Sequence, residues 1–188
     1  MRPRKDLAEF VAEASKKAMV LLDEAYIDFT EEESLCNLVR DNKNLVIAKT
    51  FSKIYGLAGA RAGYAIAHPE TIELFASMQP WPNGSISVVA TAAAIASLQD
   101  ESFVKSVYNR IQHSRNYTIE QLERVGIHCI PSYTNFIYFS LERYVKDFFE
   151  QLKKHNILGT GIWEEEGKWS RITVGTQAEM EKFIKAIE

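Results

Sequence analysis

The chain has 188 residues, 46% of them hydrophobic and 25% charged, which is enough apolar material to bury an ordinary core and too much for a largely disordered chain. A formal net charge of −3 gives no bulk attraction to nucleic acid or to anionic membranes, so partners have to be argued from sites. No apolar run approaches bilayer-crossing length, the opening "MRPRKDLAEF" has no signal-peptide core, and the cytoplasm is the expected setting.

In chain order, "DLAEFVAEASKKA" repeats apolar residues at helical spacing through Leu7, Phe10, Val11 and Ala14. It runs into "MVLLDEAY", a short apolar run ending in acids, so a helix feeding a buried strand is predicted. After the acidic, cap-like "TEEESLCNLV" come a second buried strand, "NLVIAKT", a glycine-rich stretch, and a third strand, "GYAIAH". Strands alternating with helical connectors predict a mostly parallel sheet with crossovers. "HPETIELFASM" predicts a helix with Pro69 in its first turn, and "QPWPNGS" ends it with two prolines and Asn83-Gly84.

From Ser85 to about Arg124 the pattern is helical again. Its alanine-rich first part, "ISVVATAAAIASLQ", is apolar nearly all round and is expected to be buried against the sheet; Gly126 is the expected C-cap of the second part. Beyond it, "IHCIP", "NFIYFSL", "VKDFFEQLKKHN", "ILGTGIW", "WSRITVGT" and "QAEMEKFIKAIE" predict strand, strand, helix, strand, strand, helix. The expected fold class is therefore α/β: residues 1–110 form part of a larger α/β domain and residues 111–188 a small α+β domain. Cys36 and Cys129 stand far apart, with no CxxC and no histidine at ligand spacing. That argues against a disulfide framework or a zinc site, and both are expected to be buried thiols.

Asp23 ends one strand and Lys53 follows the next, so both should emerge at the carboxyl edge of the sheet, where ligands bind in open α/β sheets. A lysine held there against apolar neighbours can offer a neutral amine for Schiff-base chemistry. Around it, Thr50 and Ser52 supply hydroxyls, Arg61 a planar fork, and Gly56, Gly59 and Gly63 a backbone that can approach a ligand closely. Hydroxyls and a guanidinium suit a phosphate monoester, and an amine and an acid beside them match the aldehyde, phosphate and pyridinium nitrogen of pyridoxal 5′-phosphate. A competing reading takes "MVLLDEA" as the acidic strand of an ATPase; it requires a GxxxxGK[ST] loop, which these 188 residues do not contain.

Taken together, "LLDEAYIDF", "KTFSKIYGLAGARAGY", "SYTNFIYF" and "WSRITVGT" resemble, in order, the aminotransferases of pyridoxal-phosphate fold type I, most closely their histidinol-phosphate branch. Lys53 lies thirty residues after Asp23 and Arg61 eight after Lys53, and the resemblance covers essentially the whole chain. It implies that Lys53 bonds to the cofactor's aldehyde and moves the substrate's proton, that Asp23 keeps the pyridine nitrogen protonated, and that Tyr26 donates to the ring's phenolic oxygen. Thr50, Ser52 and Arg61 would hold the phosphate, and Arg171 would take a substrate carboxylate or phosphate. Asn135, with Phe136, matches a family motif on the substrate side.

The resemblance further implies the second half of the large domain plus the small domain, because members of the family are about twice as long. An isolated carboxyl-terminal part would lack a glycine-containing phosphate loop, a ring-stacking aromatic residue and an asparagine, and is expected to have no useful turnover. The implied reaction is ping-pong exchange between L-histidinol phosphate and 2-oxoglutarate, in a homodimer when intact. Threonine-phosphate decarboxylase, a broad-range or aromatic aminotransferase, and a noncatalytic fragment that pairs with a partner are the alternatives.

Overall fold

Leu7 and Val11 recur at helical spacing in α1 (Arg4–Ala14) and bury against the inward residues of β1 (Val20–Asp23) and β2 (Leu45–Thr50), with Leu35 and Val39 completing that core. The computed structural model describes residues 4–81 and 86–188, so the turn expected at Asn83-Gly84 lies outside the described residues. The chain divides into two compact units, Met1–Val104 and Lys105–Glu188.

In the first unit, β1 runs parallel to β2, with Asp23 beside Ala48. β3 (Gly63–Ala67) runs antiparallel to β2, with Thr50 beside Gly63, so the sheet is mixed where a mostly parallel one was expected. The connection explains the difference: between β2 and β3 the chain forms only the short 3₁₀ turn Ala58–Ala60, and without a crossover helix it must double back. Two further 3₁₀ turns, Ile27–Phe29 and Cys36–Asp41, fill the β1–β2 connection. Leu35 takes the inward position there, and Cys36 beside it is exposed, contrary to the buried thiol expected.

α2 (Pro69–Ser77) begins with Pro69 in its first turn, and α3 (Val88–Leu98) is capped by the Ser87 hydroxyl, which accepts from the Ala90 amide at 3.1 Å. The expectation that this apolar helix is buried does not hold among the described residues. Only Ala90 and Ala94, one turn apart, are covered, by Phe51 and Ala62; Val88 is 85% exposed, and Val89, Ile95 and Leu98 are open as well. The alanine stripe admits close approach on one side, and a helix apolar all round needs cover on every side.

α4 (Glu101–Arg124) leads into the second unit and ends as expected at Gly126, whose φ of 83° closes the helix while the Ile127 amide donates to the Leu122 carbonyl at 2.9 Å. There β4 (His128–Cys129), β5 (Phe136–Ser140), β6 (Ile162–Glu164) and β7 (Trp169–Thr173) form an antiparallel sheet in the order β4-β5-β7-β6. α5 (Phe148–Lys154) and α6 (Gln177–Ile187) cover one face around Ile137, Phe139, Leu152, Phe183 and Ile187. Cys129 is buried in this core, and burial pushes its thiol up to about 12. Among the described residues no helix is long and apolar enough to cross a membrane.

Candidate active site

Alternation along the strands decides which side chains meet at the sheet's carboxyl edge. Asp23, Ala48 and Ala65 lie side by side across the three strands, and Thr50 and Gly63 form the next pair on the same face. This face therefore carries an acid and a hydroxyl over a floor of small residues. A Cβ at Gly63 would stand 2.8 Å from the Lys49 carbonyl oxygen, so the close strand approach there requires glycine. One Asp23 oxygen, Oδ1, accepts from the Ala25 amide at 2.9 Å, which fixes the carboxylate at the end of β1.

Tyr26 and Lys53 come from different strand ends, and the structure brings them together: the Lys53 Nζ lies 5.2 Å from the centroid of the Tyr26 ring. Among the described residues Lys53 makes no ion pair. The loop that bears it is closed by three backbone hydrogen bonds, Gly56 N–H to the Lys53 carbonyl at 3.0 Å, Leu57 N–H to Phe51 at 2.9 Å, and Phe51 N–H to Ala62 at 3.2 Å. The last bond draws Ser52 and Lys53 back toward Arg61. The Ser52 amide donates to the Thr50 hydroxyl oxygen at 3.0 Å, which orients that hydroxyl.

Arg61 itself adopts a left-handed backbone conformation, with φ of 53°, uncommon for a residue with a side chain and a form of strain that gathers at functional loops. It gives one guanidinium N–H to the Ala58 carbonyl at 2.9 Å and is otherwise exposed. Of the glycines expected to loosen this stretch, Gly56 takes a positive φ of 69°. The donor set is thus one primary amine, two hydroxyls and a guanidinium on a single loop, beside a carboxylate over a flat floor. It suits a phosphate monoester whose other end bears a carbonyl and a planar ring.

Behind this loop lies a feature that the motif did not bring out. Glu24, next to Asp23 but on the opposite face, is 5% exposed; its Oε1 accepts from the Leu35 amide at 3.0 Å and its Oε2 lies 3.4 Å from the Lys49 Nζ. Asp28 Oδ1 stands 3.8 Å from the same ammonium. Oε2 makes no aligned hydrogen bond, so its contact with Lys49 is an ion pair held by charge alone. Period-two alternation was the available signal, since Lys49 follows Leu45 and Ile47 on the buried face and needs an acid there.

Arg171 and Asn135 belong to the second unit. Arg171 sits on β7 beside Tyr138, its guanidinium carbon 4.9 Å from the Phe136 ring centroid and 4.3 Å from that of Trp163. A fork sandwiched between two aromatic rings keeps its N–H edge for an anion, and among the described residues Arg171 forms no ion pair. The Asn135 carbonyl accepts from the Val174 amide at 2.8 Å, which pins the segment before β5 to the end of β7.

The aminotransferase class I and II family profile matches residues 2–187, and the chain belongs to that family. The histidinol-phosphate aminotransferase of Moorella thermoacetica is 35% identical over 184 residues, which are 95% of this chain and 47% of that protein. Among solved structures, the histidinol-phosphate aminotransferase of Sinorhizobium meliloti in complex with pyridoxal-5′-phosphate superposes with a TM-score of 0.84 at 30% identity, over 99% of this chain and 52% of that one. The L-threonine-O-3-phosphate decarboxylase of Porphyromonas gingivalis superposes at 0.80 and 25% identity, over 99% of this chain and 58% of that one. The chain thus spans about half the length of the curated relatives it matches.

Proposed function

We propose that this chain supplies the lysine-bearing part of a pyridoxal-phosphate-dependent aminotransferase that exchanges the amino group of L-histidinol phosphate, or a related amino compound, with 2-oxoglutarate. The observation that supports it most is the Lys53 amine held over the Tyr26 ring at the carboxyl edge of β1 and β2, beside Asp23 and a floor of glycine and alanine. When bound, pyridoxal phosphate supplies an aldehyde for amine exchange and a ring that withdraws electrons from the substrate's α carbon.

In this reading each residue has a role set by its chemistry. Thr50, Ser52 and Arg61 hold the phosphate dianion with two hydroxyls and a fork. Asp23, fixed by the Ala25 amide, turns its remaining oxygen to a ring nitrogen and favours its protonated form. Tyr26 orients a ring oxygen by donating from its hydroxyl. Lys53, as the nearby amine, would take the proton at its Nζ from the substrate's α carbon and return it to the carbon of the cofactor's aldehyde. Arg171 receives a carboxylate or phosphate on its open edge, and Asn135, pinned at the end of the same strand, contributes to the substrate side. Turnover belongs to the whole protein, a homodimer in this reading, and the 188-residue chain alone is expected to have none. Decarboxylation of a phosphorylated amino acid is the second reading, favoured by the Porphyromonas likeness; release of carbon dioxide instead of a keto acid distinguishes it.

The test is incubation of the chain with pyridoxal phosphate, reduction by borohydride, and peptide mapping, beside Lys53→Ala and Arg61→Ala. A reduced adduct on the Lys53 peptide, absent from the first variant and weakened in the second, supports the assignment. Labelling spread over surface lysines, unchanged in Lys53→Ala, refutes it for this chain.

A further inference from the structure

A buried arginine in the second unit faces no acid among the described residues. Arg115 of α4 is 6% exposed, makes no ion pair among the described residues, and leaves its buried Nε without a hydrogen-bond partner. A terminal guanidinium nitrogen donates to the Thr134 carbonyl at 2.7 Å, its one hydrogen bond among the described residues. Burial pushes its guanidinium below the ordinary arginine value, and arginine nonetheless stays charged in proteins. An apolar side chain of similar length would fill this space at less cost, so the charge calls for an explanation beyond packing.

The bond to Thr134 leads directly to Arg171. The Thr134 hydroxyl pairs with the amide and the carbonyl of Phe136, at 3.2 and 3.1 Å, so the turn is knotted on itself. The Val174 amide fastens the intervening Asn135 carbonyl to the end of β7, and Phe136 then presents its ring to the Arg171 guanidinium. We infer that Arg115 is a positioning residue for the anion site at Arg171, holding the 132–136 turn so that Phe136 meets the fork at a fixed distance. This rests on the proposal that Arg171 binds the substrate's anionic group. A carbonyl acceptor suits that role better than a carboxylate, because it anchors the fork without placing a negative charge near an anion site.

The experiment uses the isotope-labelled 188-residue chain with 2-oxoglutarate as the probe, followed by NMR at the Trp163 indole and Arg171 side-chain N–H groups. Saturable shifts in the wild type, lost in Arg171→Ala, support the anion site. Arg115→Lys and Arg115→Met are then expected to weaken the probe's affinity about tenfold or more, the loss of one charge-assisted bond. In the same variants the Val174 amide should exchange faster, while α6 amides keep their protection. Unchanged affinity and unchanged Val174 exchange overturn the inference and leave the Arg171 reading intact; no binding by the wild type overturns both. If both variants lose their dispersed spectra, the wild-type Arg115 guanidinium protons decide: protection from exchange supports an anchored fork, and exchange as fast as that of the exposed Arg110 refutes it.

Discussion

Glu24→Gln tests whether the buried charge pair behind the loop fixes the end of β1. At an effective dielectric of about 20, unit charges 3.4 Å apart attract by roughly 5 kcal/mol. Two features reduce the net loss: Asp28 remains 3.8 Å from Lys49, and a glutamine can still accept from the Leu35 amide. Removing one member of a fully buried pair costs about 3–5 kcal/mol, so about 2–3 kcal/mol is expected here. Lys49→Met should cost at least as much, since it leaves the Glu24 and Asp28 carboxylates without their shared cation, whereas the double variant should recover part of the loss. The assay is native-state hydrogen exchange of the β2 amides, which isolates the first unit from the second. Single costs below about 0.5 kcal/mol, or simple additivity in the double variant, would show that solvent screens the pair and that it anchors nothing.

Two other perturbations follow from the same geometry. Gly63→Ala places a Cβ 2.8 Å from the Lys49 carbonyl, a backbone atom that cannot swing aside; a loss of about 1–3 kcal/mol is expected by the same exchange measurement, with weaker labelling of Lys53 by pyridoxal phosphate. In native protein a thiol reagent should modify Cys36 and spare Cys129, which becomes reactive only on unfolding. Cys129 also gives a pH signature. Its folded value of about 12 lies above the ordinary 9.0, so the stabilisation from burying the neutral thiol is complete below pH 9 and fades as pH rises toward 12. Unfolding measured across that window should show a fall in stability that Cys129→Ala flattens; an equal slope in the variant refutes the assignment.

The strands and helices were legible because each carries its own period, and the residues that share one face follow from it: Asp23 and Thr50 were predictable on the same face once β1 and β2 were seen as parallel neighbours. The direction of β3 was not legible, because a glycine-rich connection fits either a crossover or a reversal, and only its path in space decides. The exposure of α3 was missed for a related reason: composition says that a helix prefers burial, and it is the neighbours that grant it. The Arg171 sandwich combines Phe136 with Trp163 on another strand, a pairing set by strand order and by the irregular β6–β7 register. Arg115 gave no signal at all, since an arginine in an amphipathic helix reads as a solvated charge until its burial is known.

The opposite fates of Asp23 and Glu24 show why the motif contains adjacent acids. Successive residues at a strand end point to opposite faces, so one carboxylate stands over the floor of small residues and the next enters the core. The outward acid is useful only if the strand end is rigid, and a four-residue edge strand with Leu21 exposed has little packing of its own to make it so. Glu24 compensates by bonding to the Leu35 amide and facing Lys49, while its own amide donates to the Ala48 carbonyl at 3.0 Å. Lys49 lies one residue before Thr50 and four before Lys53, so the same pair ties the acid-bearing strand to the strand bearing the amine. The buried charges thereby register the two strand ends against each other, and they do so from the side that a ligand does not need.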